Sequence, residues 1–494
     1  MASEKKLGIT TRAEDYSQWY LDVIARADLA DYAPVKGCMI IKPYGYAIWE
    51  RIRDALDRMI RDTGHLNAYF PLFIPVSFLA KEAKHVEGFA MECAVVTHSG
   101  LAREDGGRLV PKGPLEEPLV VRPTSETIIG HSMRLWTQSW RDLPLLLNQW
   151  ANIVRWELRT RLFLRTLEFL WQEGHTAHAT REEAEEEVLR MLEVYRALAE
   201  DWLAMAVVKG RKSESERFAG AVETYSIEAL MQDGKALQSG TSHFLGQNFA
   251  RAFEIQYQDR QGQLQHVWTT SWGVSTRLVG GLIMTHSDDR GLVLPPRLAP
   301  FEVVVVPIFK NDAEAARVRP AVEALVAGLK EKAVRVKVDD RDYVSPGAKF
   351  YEWEGKGVPI RAEIGPREVE NGAVVRVNRV TGEKISIGRD GFIAGARGWL
   401  DAIQATLLAR SRDRLRTHSF ERDDYKGLRD VIQADLGFVR APWCNATACE
   451  ARVKEETKAT IRVIPLEGGE AEPHSRCVVC GTEARSRPIW AKAY

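Results

Sequence analysis

The chain reads as an α+β protein in three parts: a large domain built on an antiparallel sheet, an α/β domain, and a small cysteine-bearing tail. Three observations carry that expectation. Between about 217 and 285, short strand-like pieces alternate with glycine-containing turns, the pattern of an antiparallel sheet. At Pro300 the texture changes: residues 301–307 read as a buried strand around the run Val303–Val306, 312–332 have helical spacing, and 334–338 read as another strand, the alternation of a partly parallel sheet. Four of the six cysteines fall in the last 51 residues. Domains at 1–300, 301–410 and 411–494 follow, and three units suit 494 residues.

Composition narrows the classes. Hydrophobic residues at 45% and charged residues at 28% are those of a globular chain, which excludes extensive disorder. Lys+Arg and Asp+Glu are both 68, so a nucleic-acid partner would have to meet a local basic surface. No apolar run approaches the ~18 residues of a membrane span. Residues 1–6 carry charge with no apolar run behind them, so no signal peptide is expected. Six cysteines are too few for a secreted disulfide scaffold, and a cytoplasmic location is expected.

Within the first part, residues 43–66 set Ile48, Ile52, Leu56, Met59 and Ile60 on one helical face, with Gly64 as the stop. Residues 67–76 follow as an extended run whose prolines, Pro71 and Pro75, assign it to a sheet edge or an interface. Residues 145–157 and 163–171 read as two strands joined by an arginine-rich turn. Residues 181–203 predict an amphipathic helix with Ala184, Val188, Met191, Leu192, Tyr195, Leu198 and Trp202 as its apolar stripe.

Neither GxxxxGKS/T nor GxGxxG occurs, so a bound nucleotide would have its phosphates held by arginine side chains rather than a glycine-rich cradle. Such arginines stand in residues 148–175. Strand alternation would put Arg155 and Glu157 on one face, and Arg165, Thr166, Trp171, Glu173 and His175 follow. An RxE pair alone is most often a solvated hairpin. The whole run, however, resembles motif 2 of class II aminoacyl-tRNA synthetases, and in its flanking words that of the prolyl-tRNA synthetases. Arg122-Pro-Thr124-Ser-Glu126-Thr127 resembles that family's proline-binding loop, residues 238–249 its second substrate loop, and Ser271-Trp-Gly-Val-Ser275-Thr-Arg277 motif 3. The 43–66 helix with the run around Pro71 resembles motif 1, which implies a homodimer.

The resemblance implies a class II synthetase fold and an enzyme that activates L-proline with ATP and transfers it to tRNA(Pro), with Mg²⁺ accompanying the triphosphate. It places Thr124, Glu126, Arg155, Trp171, Phe218 and His243 around proline. Arg155, Glu157, Arg165, Thr166, Gln238, Thr241, Ser275 and Arg277 fall around ATP, with Arg155 and Arg277 as the catalytic cations. The residue types suit the chemistry: Glu126 can pair with proline's ammonium while Thr124 adds a hydrogen bond. The attacking carboxylate is already ionised, so positioning and charge stabilisation matter more than a base. The stretch Ala221-Val-Glu-Thr-Tyr-Ser226 departs from the Tyr-Thr-Thr run usual in the family.

In the second part, residues 346–367 resemble the family's anticodon-binding sequence, with Glu354, Arg361 and Arg367 at base-reading positions. A carboxylate can accept from the N1/N2 edge of guanine, and arginine can donate to O6 and N7. In the tail, Cys444 and Cys449, then Cys477 and Cys480 after 27 residues, are the two close thiol pairs a four-sulfur structural Zn²⁺ site requires. Unrelated free thiols are the plainer alternative, and His474 a substitute ligand. Cys38 and Cys93 are isolated and read as packing residues. A zinc-bearing tail ending in Tyr494 resembles the archaeal and eukaryote-like branch, whose terminal carboxylate tucks toward the active site.

Two other readings compete: a class II synthetase for another small amino acid such as threonine, and a non-catalytic synthetase-like tRNA-binding protein. Threonyl relatives hold an active-site zinc through a cysteine and two histidines, but Glu126 aligns with that cysteine. Non-catalytic relatives lose motif arginines, whereas Arg155, Arg165 and Arg277 are present. The 110 residues between Thr166 and Arg277 leave no room for the editing domain that bacterial-type prolyl enzymes insert there.

Overall fold

The computed structural model describes residues 8–83 and 92–494; the segment 1–6, on which the signal-peptide expectation rests, lies outside them. An eleven-stranded sheet forms the spine. Its order is Ser419–Glu421, Phe438–Arg440, Ile489–Ala491, Thr460–Pro465, Val207–Arg211, Glu223–Leu230, Ala236–Gly246, Trp268–Ser275, Glu168–His178, Leu145–Val154 and Leu66–Asn67. The strands from Val207–Arg211 to Leu145–Val154 pair antiparallel. The tail continues this sheet, because Thr460–Pro465 pairs with Val207–Arg211. Tyr494 is likewise tied to the first part, its hydroxyl donating to Asp233 at 2.6 Å and its N–H to the Ala236 carbonyl at 3.2 Å.

Helices complete the core. Pro43–Asp62 buries Ile48, Trp49, Ile52, Leu56 and Ile60, and Gly64 at φ +92° turns the chain away. Each such side chain stabilises by about 1.5–3 kcal/mol on burial. Arg181–Ala197 starts at a capping box between Thr180 and Glu183, then widens into a π turn over Leu198–Trp202. In the second part, Val303–Pro307 lies between parallel neighbours Val336–Val338 and Ile360–Ile364, and Ala373–Asn378 and Lys384–Gly388 add antiparallel strands. Asp312–Glu331 and Arg389–Thr417 cover it with Val318, Leu325, Leu329, Phe392 and Leu400. Among the described residues no helix is long and apolar enough to cross a membrane.

Several expectations need correction. The strand expected over 145–157 ends at Val154, so Arg155 and Glu157 lie in the following loop and strand alternation does not govern them. Arg155 N still donates to the Leu167 carbonyl at 2.8 Å, but Trp156 N turns to Glu92 O at 3.3 Å and the ladder stops. The second strand spans Glu168–His178 rather than 163–171, because Phe163 at φ +62° and an Arg161–Arg165 bridge curl the intervening loop.

Residues 67–76 are not one strand. Leu66–Asn67 joins the large sheet, whereas Phe73–Pro75 pairs with Pro114–Val121 in a three-stranded sheet. Pro71 has no N–H to continue a ladder. Arg122, buried between the two, donates to Phe70 O at 2.8 Å and Asn152 O at 2.9 Å. The strand-like run ending near 285 closes instead with the helix Arg277–His286. Gly280 allows that helix a close approach: a Cβ there would lie 2.5 Å from Leu164 Cδ2 and 2.9 Å from Tyr20 Oη. The division expected near 410 falls inside the helix Arg389–Thr417, which extends from the second part into the tail.

Candidate active site

Antiparallel register aligns side chains into rows across the central strands. Trp171 lies opposite Ser275, Glu173 opposite Gly273 and His175 opposite Ser271. The rows continue from Gly273 to Thr241 and from Ser271 to His243, then from His243 to Thr224. The period of two sends Phe169, Trp171, Glu173 and His175 to the same side, where all four line a cleft of about 300 Å³. Gln238 and Thr241 both reach it although three residues apart. A register shift between Ile227 and Glu228 pairs them with Gly240 and Gln238, leaving Ser239 as the bulged residue.

Thr124, Glu126, Arg155, Trp171, Phe218 and His243 line one continuous cleft. Glu126 is the first residue of the helix Glu126–Trp136, where the helix dipole favours a carboxylate, and Thr124 Oγ1 donates to it. Phe218 stacks on His243 at 4.6 Å between ring centroids. Burial, then the nearby charges of His175, Lys212 and Arg155, push the His243 pKa down to about 3, so its imidazole is neutral at pH 7. Thr224, inside the stretch that departs from the family pattern, accepts from Phe218 N and sets its hydroxyl 3.0 Å from His243 Nδ1.

Gln238, Thr241, Ser275 and Arg277 also line the cleft. Arg277 opens its helix and donates from Nε to Leu164 O at 3.1 Å. Burial, then the charges of Arg165 and Arg155, lower its pKa to about 10, which leaves it cationic at neutral pH. Arg155 donates to Pro123 O at 3.0 Å and lies 5.6 and 5.5 Å from the Phe169 and Trp171 ring centroids. Clustered guanidiniums in a water-poor cleft make an anion site. Glu157, Arg165 and Thr166 are not among the lining residues. Arg165 and Glu157 pair at 3.7 Å at a partly exposed position, and Thr166 is buried with its hydroxyl on Glu168 O.

Glu173 and His175 stand in the motif 2 run without an assigned role, and Lys212 is not named from sequence. Glu173 accepts from Ser125 Oγ at 2.5 Å, Gln149 Nε2 at 2.8 Å and His175 Nε2 at 3.0 Å. Burial opposes both charges, yet contact raises the His175 pKa, and the hydrogen bonds with the His175 charge lower that of Glu173. The signal was available, since Trp171-x-Glu173-x-His175 continues the strand period.

In the second part, Glu354 and Arg361 line a hollow of about 310 Å³ together with Phe350, Tyr351 and Arg379. Glu354 accepts from Arg290 at 2.9 Å, and Arg361 lies 4.4 Å from the Phe350 ring centroid. Arg367 is exposed on the short helix Pro366–Glu370 and is not among the lining residues. In the tail, the sulfurs of Cys444, Cys449, Cys477 and Cys480 all lie within 4.8 Å of one another. Cys444 Sγ is 3.7 Å from both Cys449 Sγ and Cys480 Sγ, too far for a disulfide. Such a cluster could hold a metal ion.

Three family models match the chain: "tRNA synthetase class II core domain (G, H, P, S and T)" at 112–286, "Anticodon binding domain" at 302–398 and "Prolyl-tRNA synthetase, C-terminal" at 425–494. The proline–tRNA ligase of Porphyromonas gingivalis is 56% identical over 100% of both chains, and that of Bacteroides fragilis 55% over 100% of both. The crystal structure of prolyl-tRNA synthetase from Cryptosporidium parvum, complexed with halofuginone and AMPPNP, matches with a TM-score of 0.92 at 39% identity, covering 99% of this chain and 98% of that one. A cleft in which the proline-loop and motif 2 and 3 residues meet, on a fold shared from end to end with these relatives, establishes that the chain belongs to the class II prolyl-tRNA synthetases.

Proposed function

We propose that the chain is a proline–tRNA ligase, which forms prolyl-adenylate and pyrophosphate from L-proline and ATP and then charges tRNA(Pro). The observation that carries this reading is the continuity of one cleft from Glu126, Phe218 and His243 to Gln238 and Arg277. Glu126 and Thr124 receive the ammonium, and the neutral His243 with Phe218 and Trp171 receives the ring. Arg155 bridges the proline carboxylate and the α-phosphate, while Arg277 holds the γ-phosphate end. Gln238, Thr241 and Ser275 contact the nucleotide. Glu157, Arg165 and Thr166, outside the lining residues here, are the further nucleotide contacts the resemblance implies.

Mg²⁺ would accompany the triphosphate, with Glu157, which the resemblance places beside ATP and which here pairs with Arg165 outside the cleft lining, as an oxygen donor of the kind it takes. The ion would neutralise charge between the phosphates. The tail cysteines fit a structural Zn²⁺. Four sulfurs at about 2.3 Å from zinc stand about 3.8 Å apart, close to the 3.7 Å found here. Glu354 and Arg361 would read the guanines of the anticodon, and Arg367, outside the hollow on the exposed helix Pro366–Glu370, is the third contact the resemblance implies. Domains at 1–300, 301–410 and 411–494, the last two sharing the helix Arg389–Thr417, a homodimer and a cytoplasmic location complete the reading. The exposed Tyr69 and Phe73 beside the Phe73–Pro75 strand support the dimer.

Proline-dependent exchange of pyrophosphate into ATP tests the function. Exchange with proline and not threonine is expected. Threonine-driven exchange would favour the other-amino-acid reading, and no exchange the non-catalytic one.

A further inference from the structure

Two buried contacts join the tail to one wall of the cleft. Lys212, 6% exposed, lines the cleft and donates to Glu228 Oε1 at 2.7 Å and to the Arg462 carbonyl at 2.8 Å. Arg462, on the tail strand Thr460–Pro465, grips the same carboxylate from Nε and Nη2, 3.2 and 3.1 Å from Oε2. Burial opposes the Glu228 charge, but Lys212 and Arg462 together hold its pKa below the ordinary value. Next along the chain, Ser213 and Ser215 both donate to Glu450 on the tail helix Thr447–Thr457, Ser213 at 2.7 Å. Glu216, which also lines the cleft, pairs with Lys454 of that helix at 3.3 Å.

Residues 212–216 contain only one short 3₁₀ turn, Glu214–Glu216, and lead directly to Phe218, the ring stacked on His243. A wall of irregular backbone holds its side chains in place only if its polar groups are tied to rigid elements. Here the tail supplies the ties, although none of the described residues lining the cleft belongs to the tail.

We propose that Glu450 and Arg462 are positioning residues for the amino-acid end of the site: from the tail they fix residues 212–218, so that Phe218 and His243 present a preformed surface to the proline ring. This inference rests on the reading of that end as the proline pocket. The tail then acts on catalysis through the geometry of one wall and not through a reacting group.

The test uses the full chain with Glu450→Ala, with Ser213→Ala/Ser215→Ala, and with all three changes together. KM for proline and for ATP is measured in pyrophosphate exchange, and proline binding by equilibrium dialysis with labelled proline. Each change is expected to raise the proline KM and dissociation constant about fivefold or more while the ATP KM stays within about twofold. The triple variant should be no worse than Glu450→Ala, since both changes cut one connection. Arg462→Lys should restore part of what Arg462→Met loses. A folded, active Glu450→Ala enzyme with unchanged proline KM, or a triple variant whose effect is the product of the two, would overturn the inference alone. Wild-type protein that neither binds proline nor exchanges pyrophosphate with it would overturn the reading of the cleft, and this inference with it.

Discussion

Glu173 and His175 stand two residues apart on one strand with Oε2 and Nε2 3.0 Å from each other, a buried ion pair in the wall of the cleft. Its partners tie it to both sides. Ser125, adjacent to Glu126, donates to Glu173, and His175 faces Ser271 in the row that runs on to His243 and Thr224.

The pair has a pH signature. The His175 pKa is raised from 6.5 in the fold, so its stabilisation is full below about 6.5 and is lost as pH rises through the raised value. The Glu173 pKa is lowered from 4.5, so its contribution is present above about 4.5 and is lost as pH falls through the lowered value. Glu173→Gln removes the charge and keeps an acceptor for Ser125. NMR titration should find the His175 pKa lower in this variant than in wild type. Denaturant unfolding should also lose less stability between pH 6.5 and pH 8.5 than wild type does. An unchanged His175 pKa would contradict the pairing.

The two ends of the cleft should separate kinetically. Glu126→Gln leaves the substrate ammonium half-paired and should raise the proline KM; breaking one side of a buried charge pair costs ~3–5 kcal/mol. Arg277→Ala should chiefly impair ATP use. Pyrophosphate exchange measured against each substrate distinguishes them, and wild-type rates in both variants would refute the assignment.

Chelation and substitution at the tail should act on metal content before chemistry. Cys444→Ser or Cys480→Ser is expected to lose one zinc per chain by atomic emission and to loosen the tail without removing any reacting group. Protein purified without chelator and containing no stoichiometric metal would count against a zinc site.

Discrimination against alanine should be incomplete. Alanine lacks two ring carbons and meets no clash in a pocket shaped for proline, and each missing methylene is worth about 1–3 kcal/mol, or 10–200-fold. The interval from Glu168 to Ser275 is occupied by strands of the central sheet, two short strands and the Arg181–Ala197 helix. We therefore expect measurable alanine-dependent exchange and no hydrolysis of alanyl-tRNA(Pro) by this chain. Rapid deacylation of that tRNA by purified protein would contradict it.

Legibility in the sequence followed the range of the interactions. Local words carry Glu126, Gln238, Thr241, His243, Ser275 and Arg277, and the structure brings these together in one cleft. Glu173 and His175 escaped because a strand with polar residues buried on both faces looks like a loop once its apolar run ends at Trp171. The Gln238–Thr241 spacing depends on a bulge, which no local pattern announces. Arg462 and Glu450 meet partners more than 230 residues away, at Glu228 and at Ser213 and Ser215, through a sheet that the tail extends. Side-chain chemistry was readable position by position, whereas the joining of the tail to the catalytic sheet required strand pairing that only the folded chain reveals.

The most direct measurement is charging of a tRNA(Pro) transcript with labelled proline by the purified full chain in the presence of ATP and Mg²⁺. The account predicts ATP-dependent prolyl-tRNA formation that is abolished or severely reduced in Arg155→Ala and that drops when the anticodon guanines are changed. No proline transferred by wild-type enzyme, or equal transfer by wild type and Arg155→Ala, would contradict it.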